Sequence, residues 1–284
     1  MPELPEVEIL VRHLAPLLKN KTITGVKVLR ARVLRPTIPA QFEQALRDAT
    51  FHSLRRRGKY LLFTLRQPRA RNSFILLGHL GMTGRMYLQP FERPLPKHAA
   101  VTFDVGQFRF VFEDTRYFGR LTLDLTPLNG LGPEILEEGF TMEHLVRALK
   151  KSSQPIKVKL LDQSVVAGIG NIYANEALFR ARLSPRRRAN RLTRPQVRHL
   201  RTALRAVLRQ AIRSGSTVPL DWTGAVGRDK LFYYGRAAEA DDGYEERLLV
   251  YDRAGEPCRR CEVLIKRMVH AARSTFYCPH CQRG

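Results

Sequence analysis

Residues 58–84 read GKYLLFTLRQPRARNSFILLGHLGMTG, and this stretch decides the fold class. Two short β-prone runs, 59–65 and 73–77, lie between Gly58 and Gly78, with Gly81 and Gly84 following closely. The same texture spreads outward over 51–123, where 87–88, 101–105, 108–112 and 121–125 are further short runs, punctuated by Gly106 and Gly119. Residues 22–35 also read mostly as strand, and a short helix fits at 40–48. Many short strands with glycine turns favour a β-sandwich or related closed sheet over a parallel α/β sheet.

Helices flank this β region. Val7, Leu10, Val11, Leu14 and Leu18 recur at three- and four-residue steps, which predicts one apolar helical stripe. Pro5 suits its first turn, and Glu3, Glu6 and Glu8 favour the positive end of its dipole. From about residue 127 the pattern changes. Pro127, Gly130, Gly132 and Pro133 read as a linker, and helices are expected at 142–150, 156–162 and 171–179. Thr193 with Gln196 makes a capping box, Pro195 sits in the first turn, and Leu200, Leu204, Leu208, Ala211 and Ile212 form the stripe of a long helix that stops at Gly215. The expected organisation is α+β and multidomain. A β-sandwich with flanking helices covers 1–126, a linker 127–134, a helical domain 135–247 and a cysteine module 248–284. Within the helical domain, 216–247 turns loop-like and carries the acidic run Glu239, Asp241, Asp242, Glu245 and Glu246.

Lys plus Arg total 49 against 26 acidic residues, a net charge of +23 over 284 residues. Such an excess argues for a polyanionic partner; a merely basic, ribosome-associated protein is the plainer alternative, and an anionic membrane a weaker one. No apolar stretch reaches spanning length, and the acidic first residues do not resemble a signal peptide. All four cysteines follow residue 257, which excludes a disulfide-dense secreted framework and fits a reducing, intracellular compartment.

Cys258 and Cys261 form one Cys-x-x-Cys pair and Cys278 and Cys281 another, a spacing that lets two knuckles meet in a tetrahedral thiolate site. One structural zinc is the expected occupant, ahead of iron in a sulfur site or an empty dithiol pair. So small a module buries little apolar surface, so metal binding should contribute much of its folding free energy. The segment between the pairs can form a two-stranded hairpin that presents basic side chains to phosphates. His270 and His280 are spare potential ligands.

The opening MPELPEVE, together with Arg57-Gly58-Lys59-Tyr60-Leu61, 78–84 (GHLGMTG), 114–119 (DTRYFG), 167–176 (AGIGNIYANE) and 273–278 (RSTFYC), is similar in order and content to the bacterial formamidopyrimidine-DNA glycosylases, which remove oxidised purines. The conjunction of motifs spans nearly the whole chain. The resemblance implies a helix–two-turn–helix motif in the helical domain, a zinc finger at the cysteines, and action as a monomer on double-stranded DNA holding a damaged base or abasic site. It places the protein in the cytoplasm, at the bacterial nucleoid.

The resemblance also implies roles. Loss of Met1 before the small Pro2 would leave a free secondary amine, which attacks C1′ of the damaged nucleotide and forms an iminium. The alternative for Pro2 is an aid to methionine processing or a turn. Glu3 is implied as the adjacent proton carrier and Glu6 as its support, with the helix dipole as their plain explanation. Lys59 is implied to reach a reacting phosphate or base, against being one more surface lysine. Met82, Arg116 and Phe118 are implied to fill the hole left by a flipped nucleotide, Arg116 facing the orphaned base; ordinary packing is the alternative. Asn171, at a glycine-rich helix start, and Arg273 are implied phosphate clamps, and Lys157 and His98 match further DNA-side positions.

Three departures from the family pattern stand out. The usual Arg-Arg-Phe is Arg116-Tyr117-Phe118, which removes one cation that normally meets a phosphate. His98 keeps the first histidine of Lys-His-x-His, but Ala100 replaces the second. The stretch 216–247 does not follow the family's lesion-recognition loop. Competing readings are a sister glycosylase for oxidised pyrimidines, which usually opens Met-Pro-Glu-Gly where this chain has Leu4, and a non-catalytic zinc-containing DNA-binding protein.

Overall fold

The computed structural model describes residues 2–68, 72–214 and 248–283. The chain divides between Asn129 and Gly130 into two compact units. The expectation for 216–247 lies outside the described residues.

The first unit opens with α1 (Leu4–Leu18), and all five residues of its predicted stripe are buried. β1 (Gly25–Val28), a 3-10 turn (Ala31–Leu34) and α2 (Pro39–Leu46) follow. Here the sequence expectation needs correcting: of 22–35 only four residues are in a named strand. Val33 and Leu34 are both buried although adjacent, which suits a helical turn and not the in–out alternation of a strand.

Seven strands complete the unit: β2 (Thr50–Arg57), β3 (Tyr60–Arg66), β4 (Ser73–His79), β5 (Gly84–Pro90), β6 (Ala99–Val105), β7 (Phe108–Asp114) and β8 (Arg120–Thr122). They form two antiparallel four-stranded sheets, β2-β3-β4-β8 and β1-β6-β7-β5. An aromatic cluster joins the sheets. Phe63 of β3 meets Phe110 of β7 edge-on at 5.8 Å, Phe110 stacks on Phe103 of β6 at 5.5 Å, and Phe51 of β2 approaches Phe103 at 6.5 Å. Each such pair contributes about 0.5–1.5 kcal/mol beyond its area burial. The expected β-sandwich is present. Register slips at two bulges, one beside His52 and one at Ala100; the second matters below.

The second unit holds α3 (Met142–Lys150), α4 (Ile156–Leu160), α5 (Asn171–Arg180) and α6 (Arg194–Ser214), then the hairpin β9 (Lys266–His270) and β10 (Arg273–Tyr277). Both halves of the predicted capping box form at α6: Thr193 N donates to Gln196 Oε1 at 3.0 Å and Gln196 N to Thr193 Oγ1 at 3.4 Å. Leu200, Leu204 and Leu208 are buried, while Ala211 and Ile212 are half-buried. No described helix is long and apolar enough to cross a membrane.

Candidate active site and nucleic-acid interface

Pro2 and Glu3 stand at the head of α1, both buried. Glu6, also buried, accepts a hydrogen bond from Glu3 N at 2.7 Å, so the fourth residue of this stretch fixes the backbone of the first carboxylate.

Gly58 and Lys59 make the two-residue turn between β2 and β3, with Gly58 at φ 57°. Lys59 therefore lies in the turn itself, and β3 begins at Tyr60. Its side chain is 8% exposed, which removes it from the crowd of surface lysines. Arg56 ties this turn to α1: its Nε pairs with Glu8 Oε2 at 2.9 Å and its Nη1 donates to Gly58 O at 3.0 Å. Burial disfavours the Glu8 carboxylate, but hydrogen bonds and charge from Arg56 and Arg12 outweigh that and hold its pKa below the usual value. Glu8, read from the sequence only as a helix-dipole residue, and Arg56, not singled out there, thus position this turn against α1.

His79 belongs to the GHLGMTG motif of residues 78–84. At the end of β4, its ring lies 4.8 Å from that of Tyr60. Burial, then the charges of Lys59 and Arg120, push its pKa down to about 4. Its Nδ1 accepts from Gly81 N at 3.1 Å, so at neutral pH the ring is uncharged with Nε2–H as its free donor position.

The structure brings Met82, Arg116 and Phe118 together. Arg116 Nη1 donates to Met82 Sδ at 3.2 Å, and its guanidinium lies 4.8 Å from the Phe118 ring centre. Met82 is 41% and Phe118 44% exposed, so the two apolar side chains face outward and are not core packing. Beneath them Asp114, fully buried, binds both loops. It accepts from Thr83 Oγ1 at 2.5 Å, Arg116 N at 3.1 Å and Gly119 N at 2.7 Å. Gly81, at φ 61°, lets the loops close: a Cβ there would stand 2.5 Å from Gly119 N. Asp114 thereby couples the two loops of this tip. His98, half-buried, lies 6.4 Å from the ring of Tyr117, the residue between Arg116 and Phe118.

In the second unit three polar side chains hold β10. Lys157 Nζ donates to Ser274 O at 2.8 Å and Thr275 Oγ1 at 2.6 Å, Asn171 Nδ2 donates to the same Ser274 carbonyl at 3.0 Å, and Asn175 Oδ1 accepts from Phe276 N at 3.0 Å. Lys157 is fully buried. A buried ammonium needs several partners, and among those of Lys157 are the hairpin's own backbone and hydroxyl. Asn171 opens α5 as expected, yet its amide nitrogen points to the hairpin. Arg273, adjoining the clamped Ser274, is exposed. Glu176, buried, accepts backbone hydrogen bonds from Leu249, Val250 and Tyr251 at 2.9 Å each, which anchors the segment leading into the cysteine module.

The four sulfurs of Cys258, Cys261, Cys278 and Cys281 lie within 4.8 Å of one another. Three of the separations are 3.9, 3.5 and 3.4 Å, close to the roughly 3.8 Å edge of a tetrahedron with metal–sulfur bonds of about 2.3 Å. The donor set suits a metal ion.

With this geometry in place, comparison with known proteins is informative. Residues 1–121 match the formamidopyrimidine-DNA glycosylase N-terminal domain, 131–220 its H2TH domain, and 255–284 the zinc finger found in FPG and IleRS. A formamidopyrimidine-DNA glycosylase of Carboxydothermus hydrogenoformans is 39% identical over 284 residues, covering 100% of both chains. The Lactococcus lactis Fpg, solved with DNA containing an abasic site, superposes with a TM-score of 0.85 at 30% identity, covering 99% of this chain and 100% of that one. MutM in complex with DNA containing carbocyclic 8-oxo-G gives a TM-score of 0.85 at 32% identity, over 100% of both chains. Fold, tip and cysteine cluster agree with sequence similarity along the entire length, and the chain belongs to the formamidopyrimidine-DNA glycosylase family.

Proposed function

We propose that this chain is a bifunctional DNA glycosylase and abasic-site lyase that removes oxidised purines, including 8-oxoguanine and formamidopyrimidines, from double-stranded DNA. The observation that carries this reading is the exposed Met82–Arg116–Phe118 cluster standing on one buried carboxylate, Asp114. Two apolar groups and a planar cation, turned outward and locked from below, suit the space a flipped nucleotide vacates.

Removal of Met1 leaves Pro2 with a secondary amine. Its lone pair forms a bond to C1′ as the glycosidic bond breaks, and the base departs with a proton supplied through Glu3; the nitrogen then loses its proton and the C1′–O4′ bond breaks, O4′ taking up a proton, so that the sugar opens and C1′ is left doubly bonded to nitrogen. The resulting iminium acidifies C2′, so elimination expels first the 3′ and then the 5′ phosphate, and hydrolysis restores the amine. Glu6 holds Glu3 in place, while the ammonium of Lys59 offers charge to a reacting phosphate or leaving base. Arg273 and the start of α5 at Asn171 grip phosphates, with Lys157 supporting Arg273 from behind.

The cysteine cluster is read as a zinc site, since four thiolates at tetrahedral separations favour that ion and close its coordination. Zinc there supplies folding energy, not chemistry. The protein is taken to act as a monomer at the nucleoid in the cytoplasm. Duplexes each carrying one lesion test the substrate reading: release of oxidised purines with phosphate on both strand ends is expected, and preferential release of oxidised pyrimidines would assign the sister activity instead.

A further inference from the structure

Two departures from the family pattern, Tyr117 and Ala100, meet at one place in the first unit. Ala100 forms the β6 bulge, and its carbonyl accepts from both Leu29 N at 2.9 Å and Arg30 N at 3.0 Å. The backbone of Arg30 is therefore fixed by that bulge. Tyr117, held at φ 52° in the tip loop, accepts a hydrogen bond through its hydroxyl from Arg30 Nε at 3.3 Å. The guanidinium of Arg30 lies 5.7 Å from the Tyr117 ring, Arg30 Nη1 donates to Leu29 O at 2.8 Å, and His98 flanks the other ring contact of Tyr117. Arg30 itself is exposed. No described carboxylate pairs with it.

We infer that Arg30, oriented by Tyr117 and the Ala100 bulge, is a phosphate-binding residue beside the tip, and that it supplies from β1's end the cation this loop lacks. A solvent-facing guanidinium anchored through Nε and Nη1 keeps Nη2 as a donor for a phosphodiester oxygen, and an arginine already held in place loses little entropy on binding. Tyr117, its contact, stands between Arg116 and Phe118 in the tip loop, so the inference rests on reading that tip as the wedge.

Full-length, metal-loaded protein and a duplex containing a stable abasic analogue provide the test, with affinity measured across a salt series. R30A is expected to lose about five- to tenfold in affinity at low salt and to flatten the slope of log K against log salt by about one. R30A/Y117R, which returns a cation to the loop, should recover the slope. R47A removes an exposed charge at the end of α2 and should change the slope much less. The inference is overturned if R30A leaves the slope unaltered, or if R47A flattens it equally. Failure of the wedge reading is distinguishable: F118A would then impair excision and abasic-duplex binding alike, whereas a true wedge variant loses excision more.

Discussion

Glu3 and His79 show how burial sets the chemistry of single residues. Glu3 lies buried behind the proposed nucleophile with its backbone fixed by Glu6. E3Q preserves shape and removes the proton carrier, so excision in single-turnover assays should slow by about 10²–10⁴-fold while lesion-duplex affinity changes little. Equal loss of affinity would point to disturbed folding of the helix head. His79 gives a pH prediction. Its pKa falls from 6.5 in the unfolded chain to about 4 in the fold, so between those values the unfolded state binds more protons. Stability therefore rises with pH across that window, is complete above pH 6.5, and is lost as pH drops toward 4. The span of about 2.5 units corresponds to at most about 3 kcal/mol. H79N keeps an acceptor for Gly81 N and cannot charge. Denaturant titrations at pH 4.5 and 7 should show a smaller loss for H79N than for the parent, and an identical loss would remove His79 from the account.

At the scale of elements, the hairpin and its cysteines carry the sharpest expectations. The turn between His270 and Arg273 consists of Ala271 at φ 47° and Ala272 at φ 57°, a left-handed pair that L-residues adopt at a cost of roughly 1–2 kcal/mol each. A272G should raise stability by about 0.5–1 kcal/mol in thermal melts; a drop would mean that the turn is not under backbone strain. C278S removes one of four thiolates, and metal analysis should show stoichiometric zinc in the parent and its loss in the variant, together with loss of DNA binding. A stoichiometric iron–sulfur cluster in the parent would contradict the zinc reading. These elements were legible to different degrees. Cysteine spacing and the α6 capping box can be read directly because both are local patterns. The clamp formed by Lys157, Asn171 and Asn175 cannot, because its partners lie about a hundred positions further along and nothing local marks a lysine as buried.

For the whole molecule, hydrophobic periodicity and glycine punctuation were enough to separate a β-sandwich unit from a helical one with a metal module. The same reading overextended β1, since adjacent buried residues in a 3-10 turn look like a strand in a β-prone context. At the site, motif resemblance pointed to Pro2, Glu3, Lys59 and the tip trio as candidates. It gave no contact role to Glu8 or Asp114, which lie inside the quoted motifs, and passed over Arg56 and Arg30; their side chains act through contacts with sequence separations up to 87. The proposed reaction turns on one covalent step, and that step is open to direct observation. Borohydride added during turnover on lesion-containing duplex should reduce the iminium and leave protein covalently attached to DNA. Peptide mapping of that adduct should find the DNA on the nitrogen of an N-terminal Pro2 in a chain lacking Met1; attachment at Lys59, or no adduct from an active preparation, would contradict Pro2 as the nucleophile.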